Sequence, residues 1–286
     1  MSTGRVGPGG DPSLLSVQPG DPLVRRGERH VGGGFRGTGG TEAALDYTRH
    51  MVRTRARGGG RSPWFTPALF GFLEELRLHN DRDWFERNKD RYVRDVRDPM
   101  LRFIADVAPV LRTIAPRLAA DPRPVGGSMF RIHRDQRFSK DKTPYKTNVA
   151  AGFRHEAGRE APGPGLYVSL SPGSVEVGGG VWHPGPEPLR LIRRAIADDP
   201  AAWKRALRAP GLDGLAWWGD SLSRTPKGFP CGHPLDAWLR RKDFAAGIEL
   251  GEAEALAPDF LDRCAKAWRP LCPAMGFMAK AVGLPW

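Results

Sequence analysis

Lysine, tryptophan and cysteine are all missing from the first 61 residues of this 286-residue chain, although the stretch holds 15 of its 36 glycines. With runs such as GGGFRGTGG and almost no apolar periodicity, it cannot bury enough surface to offset chain entropy. The sequence therefore predicts a disordered tail over 1–61 and one globular domain over 62–286, which carries all nine tryptophans. Met51 stands just before the globular pattern and is expected to be an alternative translation start. Mass spectrometry of the native N-terminus checks this.

Cysteine is scarce throughout. Cys231, Cys264 and Cys272 form neither a C-x-x-C pair nor a disulfide framework. Cys264 and Cys272 lie eight apart in a helical stretch and are expected as buried thiols of a reduced compartment. No apolar run reaches the roughly 18 residues of a membrane span, and no apolar signal segment opens the chain. A cytoplasmic protein without a membrane partner is expected. The G-x-x-x-x-G-K-[S/T] and G-x-S-x-G patterns are absent, as is H-x-x-x-H spacing, and the glycine run at residues 178–180 does not belong to a G-x-G-x-x-G. P-loop, nucleophile-elbow and zinc signatures are thus lacking, and no metal or other cofactor is assigned.

What is abundant is positive charge. The net charge of +12 divides into +5 for the tail, ten arginines against five acids, and +7 for the rest. A basic excess favours encounter with nucleic acid, nucleotides or anionic surfaces. The heavy preference for Arg over Lys, with much Gly, Ala and Pro, also matches the coding bias of a high-GC genome.

The spacing of apolar residues then orders the globular part. Thr66 and Pro67 open an expected helix to about His79, with Phe65 stapling against Phe70. Asn80-Asp81 breaks it and caps a second helix, and Asp98-Pro99 marks a kink before a third that ends at Ala115-Pro116. The period then falls to two. Strands are expected over Ser128–Arg134, Asn148–His155, Gly165–Ser171 and Ser174–Trp182, the last two joined at Pro172-Gly173. Helices over Pro188–Asp198, Pro200–Arg208 and His233–Arg241 follow, with short strands at Trp217-Trp218 and Phe244–Leu250. A last helix spans Asp259 to about Val282, interrupted at Pro270 and Pro273. Helices, then consecutive strands, then helices predict an α+β fold with a mainly antiparallel sheet.

The densest chemistry is FRIHRDQRFSKDKTPYKT, residues 130–147. Arg131, Arg134, Arg137 and Lys142 offer guanidinium forks and an ammonium to a phosphate or carboxylate. Asp135 and Asp141 are the catalytic candidates: each has the chemistry to orient an arginine, hold a metal beside a substrate phosphate, or act as a base. Tyr145 offers a hydroxyl or a stacking ring. The bland alternative is that these Arg–Asp pairs tie a long loop to the sheet. A second candidate is GGGVWHP at residues 178–184, whose glycines either cradle a phosphate or let the strand bend around a tryptophan. His133 is the one histidine placed as an acid–base candidate, and Asp83 and the Lys242-Asp243 pair are of lower rank.

FTPALFGFLEEL, NDRDWFERNKDRY, GLYVSLSPG, VGGGVWHP, RRKDF and the closing LPW, together with the charged stretch, resemble a bacterial family catalogued as domain of unknown function 2461. Its motif has the form R-x-x-R-D-x-R-F-x-x-x-[D/N]-K-x-x-Y, met here by Arg131, Arg134, Asp135, Arg137, Phe138, Asp141, Lys142 and Tyr145. The likeness spans 62–286 and excludes the tail; it implies a place and no chemistry. The expected function is binding of a phosphorylated or carboxylated small molecule, with or without catalysis. The alternative is a nucleic-acid-binding or interaction module on the same basic surface. A nucleic-acid complex weakens steeply with salt. The sequence assigns no oligomeric state.

Overall fold

The computed structural model of the chain describes residues 63–135, 141–158, 161–230 and 232–286. The expected disordered tail, the Met51 start, Arg137, Phe138, Lys140 and Cys231 lie outside the described residues.

Helix α1, Pro67–Leu78, begins where expected, with Pro67 in its first turn. Thr66 contributes its carbonyl, which accepts the Leu69 N–H at 3.0 Å, while its side chain makes no capping bond. Phe65 finds Phe103 and Phe260 rather than serving only its own helix, at ring separations of 5.5 and 5.9 Å. Helix α2, Arg82–Arg87, is capped by the Asp81 carboxylate, which accepts the Trp84 N–H at 2.8 Å. After the short α3, Lys89–Arg91, a π-helical turn over Tyr92–Arg97 leads into α4, Asp98–Ile114. Pro99 has no N–H to give and its ring crowds the carbonyl four residues back. The widened turn absorbs that conflict without leaving helical backbone.

The sheet has six strands in the order β1-β2-β3-β4-β6-β5, every neighbouring pair antiparallel. They are β1 Leu118–Ala119, β2 Val149–His155, β3 Gly165–Ser171, β4 Ser174–Val181, β5 Ala216–Trp218 and β6 Phe244–Leu250. The fold is α+β. The strand expected over Ser128–Arg134 is not continuous: it makes one bridge from Met129 to Ala151 of β2 and another from His133 to Tyr145. The segment changes partners midway, which a period-two pattern does not reveal. Helices α5 (Pro186–Asp198), α6 (Pro200–Ala206), α7 (Asp236–Leu239), α8 (Glu252–Ala255), α9 (Phe260–Trp268) and α10 (Cys272–Ala281) complete the chain. α7 keeps only the middle of the helix expected over His233–Arg241.

The helices cover one face of the sheet. Val149, Ala151, Phe153, Leu166, Val168, Leu170, Val175, Val177, Phe244 and Ala246 on that face join them in one continuous core. Phe153 meets Trp268 edge-on at 5.5 Å, and Trp203 sits among Trp217, Trp238, Phe244 and Phe277. The closing residues are structural. The His155 ring accepts the Ala157 N–H at Nδ1, so its Nε2–H donates to the Pro285 carbonyl at 2.8 Å. Trp286 lies over Gly276, where an added Cβ would be 2.7 Å from the indole. Among the described residues no helix is long and apolar enough to cross a membrane.

The other sheet face is built differently. Ala150, Gly152, Gly178, Gly180, Ala245 and Gly247 alternate with the core residues along their strands. Their small size leaves a shallow trough that the Phe130 and Trp218 rings occupy. Phe130, Tyr167, Trp182 and Trp218 are half-buried and stay out of the core cluster.

Candidate functional site

The charged hairpin hangs from the β2 edge of the sheet. Phe130 donates its N–H to the Ala150 carbonyl at 2.9 Å, and then the chain turns to pair with its own return limb. Arg134 N–H reaches the Pro144 carbonyl at 2.9 Å, and Lys146 N–H the Ile132 carbonyl at 2.8 Å. Asn80, just before α2, braces the return limb like a missing strand. Its side-chain amide donates to the Tyr145 carbonyl and accepts the Tyr145 N–H, each at 3.0 Å. Asn80 thus ties the start of α2 to the motif.

Of the expected site residues, three are committed to the fold. Tyr145 is buried and stacks on Phe85 with ring centres 4.1 Å apart and planes 18° from parallel. Burial, reinforced by the Glu86 carboxylate, holds its phenol above the usual range. Arg134, whose side chain is 16 % exposed, donates to the Asp141 carboxylate and the Thr143 hydroxyl. Asp141 also accepts the Thr143 N–H at 2.9 Å, closing a tight turn. Arg131 and Lys142 are exposed and Asp135 is half-buried, while Arg137 is outside the described residues. Exposed His133 lies 5.2 Å from the Tyr145 ring.

The Thr143 N–H, aided by the Arg134 guanidinium, pulls the Asp141 carboxyl down to about 2. A carboxylate that gives up its proton so readily is a poor base at neutral pH. The shift has a stability signature. A depressed folded value stabilises the fold above the ordinary carboxyl range near 4, and that contribution is lost as pH falls toward 2. Asp141 is half exposed, so solvent screening limits the effect to about 1 kcal/mol or less. In urea unfolding, the wild type should exceed Asp141→Asn above pH 5, with the gap closing near pH 2.

Beside the hairpin, the trough carries its own chemistry. Phe130 lies over Gly152, where a Cβ would be 2.9 Å from the ring, and 6.1 Å from Tyr167. The Lys146 ammonium and Arg154 guanidinium stand 5.5 and 5.6 Å from the Phe130 ring centre. On the next strands Glu176 faces Glu249, and burial, then that neighbour, pushes the Glu176 carboxyl up. Asn148 donates to the Ser169 hydroxyl at 2.9 Å. Phe130 and Lys146 belong to the charged stretch, but their position on this face was hidden until the sheet was assembled.

The glycine run is not a phosphate cradle. Gly178, Gly179 and Gly180 lie within β4, paired to both β3 and β6. A Cβ at Gly178 would collide with the Ala246 carbonyl and the Trp218 ring. The run admits a tryptophan ring over Gly178, within a continuous strand paired on both sides. Among the described residues no group of three or more His, Cys, Asp and Glu is placed to hold a metal.

Fold and site together define an α+β protein with one helix-covered sheet and a charged hairpin at its edge. Residues 68–277 match the family described as conserved hypothetical protein (DUF2461), and the chain belongs to that family. No curated protein matches it at a significant level.

Proposed function

We propose that the protein binds a phosphorylated or carboxylated small molecule carrying a flat ring, where the hairpin meets the trough. The observation that carries this reading is the Phe130–Tyr167 pair. It stays outside the core, with Lys146 and Arg154 both within 6 Å of the Phe130 ring. Aromatic rings give a flat ligand stacking area, and cations held beside them give its anionic group a partner. Arg131 and Lys142 extend the positive charge along the hairpin. Arg134, Asp141 and Tyr145 shape the site from behind without touching the ligand.

Thermal-shift titrations with AMP and with inorganic phosphate test the proposal. AMP should raise Tm more than phosphate does, because it also stacks. Phe130→Ala should remove the difference between the two, and Arg154→Ala should weaken both. Lys142→Ala reports whether the hairpin takes part. Equal shifts for both probes in wild type and variants would sink the stacking role. A single-stranded oligonucleotide that binds far better than AMP, and releases steeply with salt, would favour a nucleic-acid surface instead.

A further inference from the structure

At the opposite end of the trough, His183 leaves β4 with φ 45°, the one non-glycine left-handed backbone among the described residues. A side chain with a Cβ adopts this conformation at a cost of about 1–3 kcal/mol, so its surroundings must hold it there. Asp243 does so. Its Oδ1 accepts the His183 N–H at 2.7 Å and faces ring Nδ1 at 2.8 Å, while Oδ2 accepts the Asp220 N–H at 3.3 Å. The Asp243 side chain is 2 % exposed and that of His183 54 %. An acceptor-only oxygen this close to Nδ1 calls for the proton on Nδ1, which leaves Nε2, on the far edge of the ring, with its lone pair. Trp182 stacks on the imidazole at 4.6 Å and fixes its plane. Gly219 closes over the carboxylate, where any Cβ would strike it.

We propose that this corner is an acid–base site in which His183 is the catalytic residue and Asp243 its positioning residue. Nε2 takes a proton from water as the water oxygen bonds to an ester carbonyl carbon. The carbon–oxygen bond to the alcohol breaks, and the leaving alkoxide receives the proton back from Nε2. One water is consumed and the histidine is regenerated. The substrate class is an uncharged ester, because the neighbouring guanidiniums of Arg241 and Arg193 donate to backbone carbonyls. Arg241 donates from Nε to the Asp243 carbonyl at 2.9 Å and also to the Trp218 carbonyl. Arg193 donates to the Arg241 carbonyl at 2.8 Å, and Lys242 lies 3.6 Å from the Asp220 carboxylate.

Two measurements on the full chain decide. Nitrogen-15 NMR at neutral pH should show His183 as the Nδ1–H tautomer, the minor form for a free imidazole; an Nε2–H signal overturns the proposal. With p-nitrophenyl acetate as probe, His183→Asn should lose about tenfold or more in hydrolysis. Asparagine tolerates left-handed backbone, so this variant keeps the turn. His79→Gln, another exposed histidine, should hydrolyse at the wild-type rate. A wild-type rate in His183→Asn overturns the catalytic role. Asp243→Asn should fall to the rate of His183→Asn. Neither of these two measurements involves Phe130 or Arg154, so failure of the anion proposal leaves this one standing.

Discussion

Tyr145→Ala should destabilise the protein by about 3–5 kcal/mol, the range for emptying a buried aromatic position. The side chain is 4 % exposed, and its ring lies flat on Phe85, itself in contact with Tyr92 and Phe72. Alanine would leave a ring-sized cavity at the junction of α2 with the hairpin. The Asn80 amide would still hold the backbone of residue 145, because its two bonds go to main-chain atoms. The surroundings would therefore not collapse easily into the space, and this puts the cost toward the upper end. Tyr145→Phe keeps the stack and should cost about 1 kcal/mol or less. At about 2–4 °C per kcal/mol, the two variants should differ in Tm by roughly 10 °C. Equal melting of both would mean that the ring is not in the core. The comparison also separates the two roles of the motif, since a residue that served only a ligand would lose binding and keep its melting temperature.

The sequence was most readable where structure is local. Thr66-Pro67 and Asp81 mark helix starts because caps and first-turn prolines act within four residues. Pro172-Gly173 joins β3 to β4 because its glycine takes φ 83° in the turn, and the alternation on either side declares the inner face. β6 runs over Phe244–Leu250, the bounds its apolar run suggested.

What stayed hidden depends on which strands lie side by side. Nothing local in the sequence links His183 to Asp243. They meet because β4 pairs with β6 in a register that puts Val181 against Phe244, so each lies just beyond the last pair. Their sixty-residue separation has no signature in either segment. The signal that is there is positional: a histidine just after one strand and an aspartate just before another. The same limit applies at the hairpin. Charge density drew attention to Arg134, Asp141 and Tyr145, yet a constellation rich in Arg and Asp satisfies itself when the loop is short enough for its members to touch. Phe130 lies at the end of that stretch, and only the β2 edge shows it turned toward the trough.

Gly178→Ala and Gly247→Ala should each cost about 2–3 kcal/mol, the upper part of the range for overpacking. The two glycines face each other across β4 and β6, beneath one indole. At Gly178 a Cβ would strike both the Trp218 ring and the Ala246 carbonyl; at Gly247 it would strike the same ring and the Val177 carbonyl. The ring edge can swing away, because Trp218 is only half-buried. The carbonyls cannot, because they belong to the sheet. Trp218→Ala should accordingly relieve part of each defect and leave the rest. In the Gly178→Ala/Trp218→Ala double variant, the loss should be smaller than the sum of the single losses by about 0.5 kcal/mol or more, as for residues in contact. Full additivity would show that the indole does not rest on the trough floor. Coupling would establish that these glycines keep the floor low so that a tryptophan can lie across it. That places the indole between the Phe130–Tyr167 platform and the His183–Asp243 corner, on the face the helices leave open.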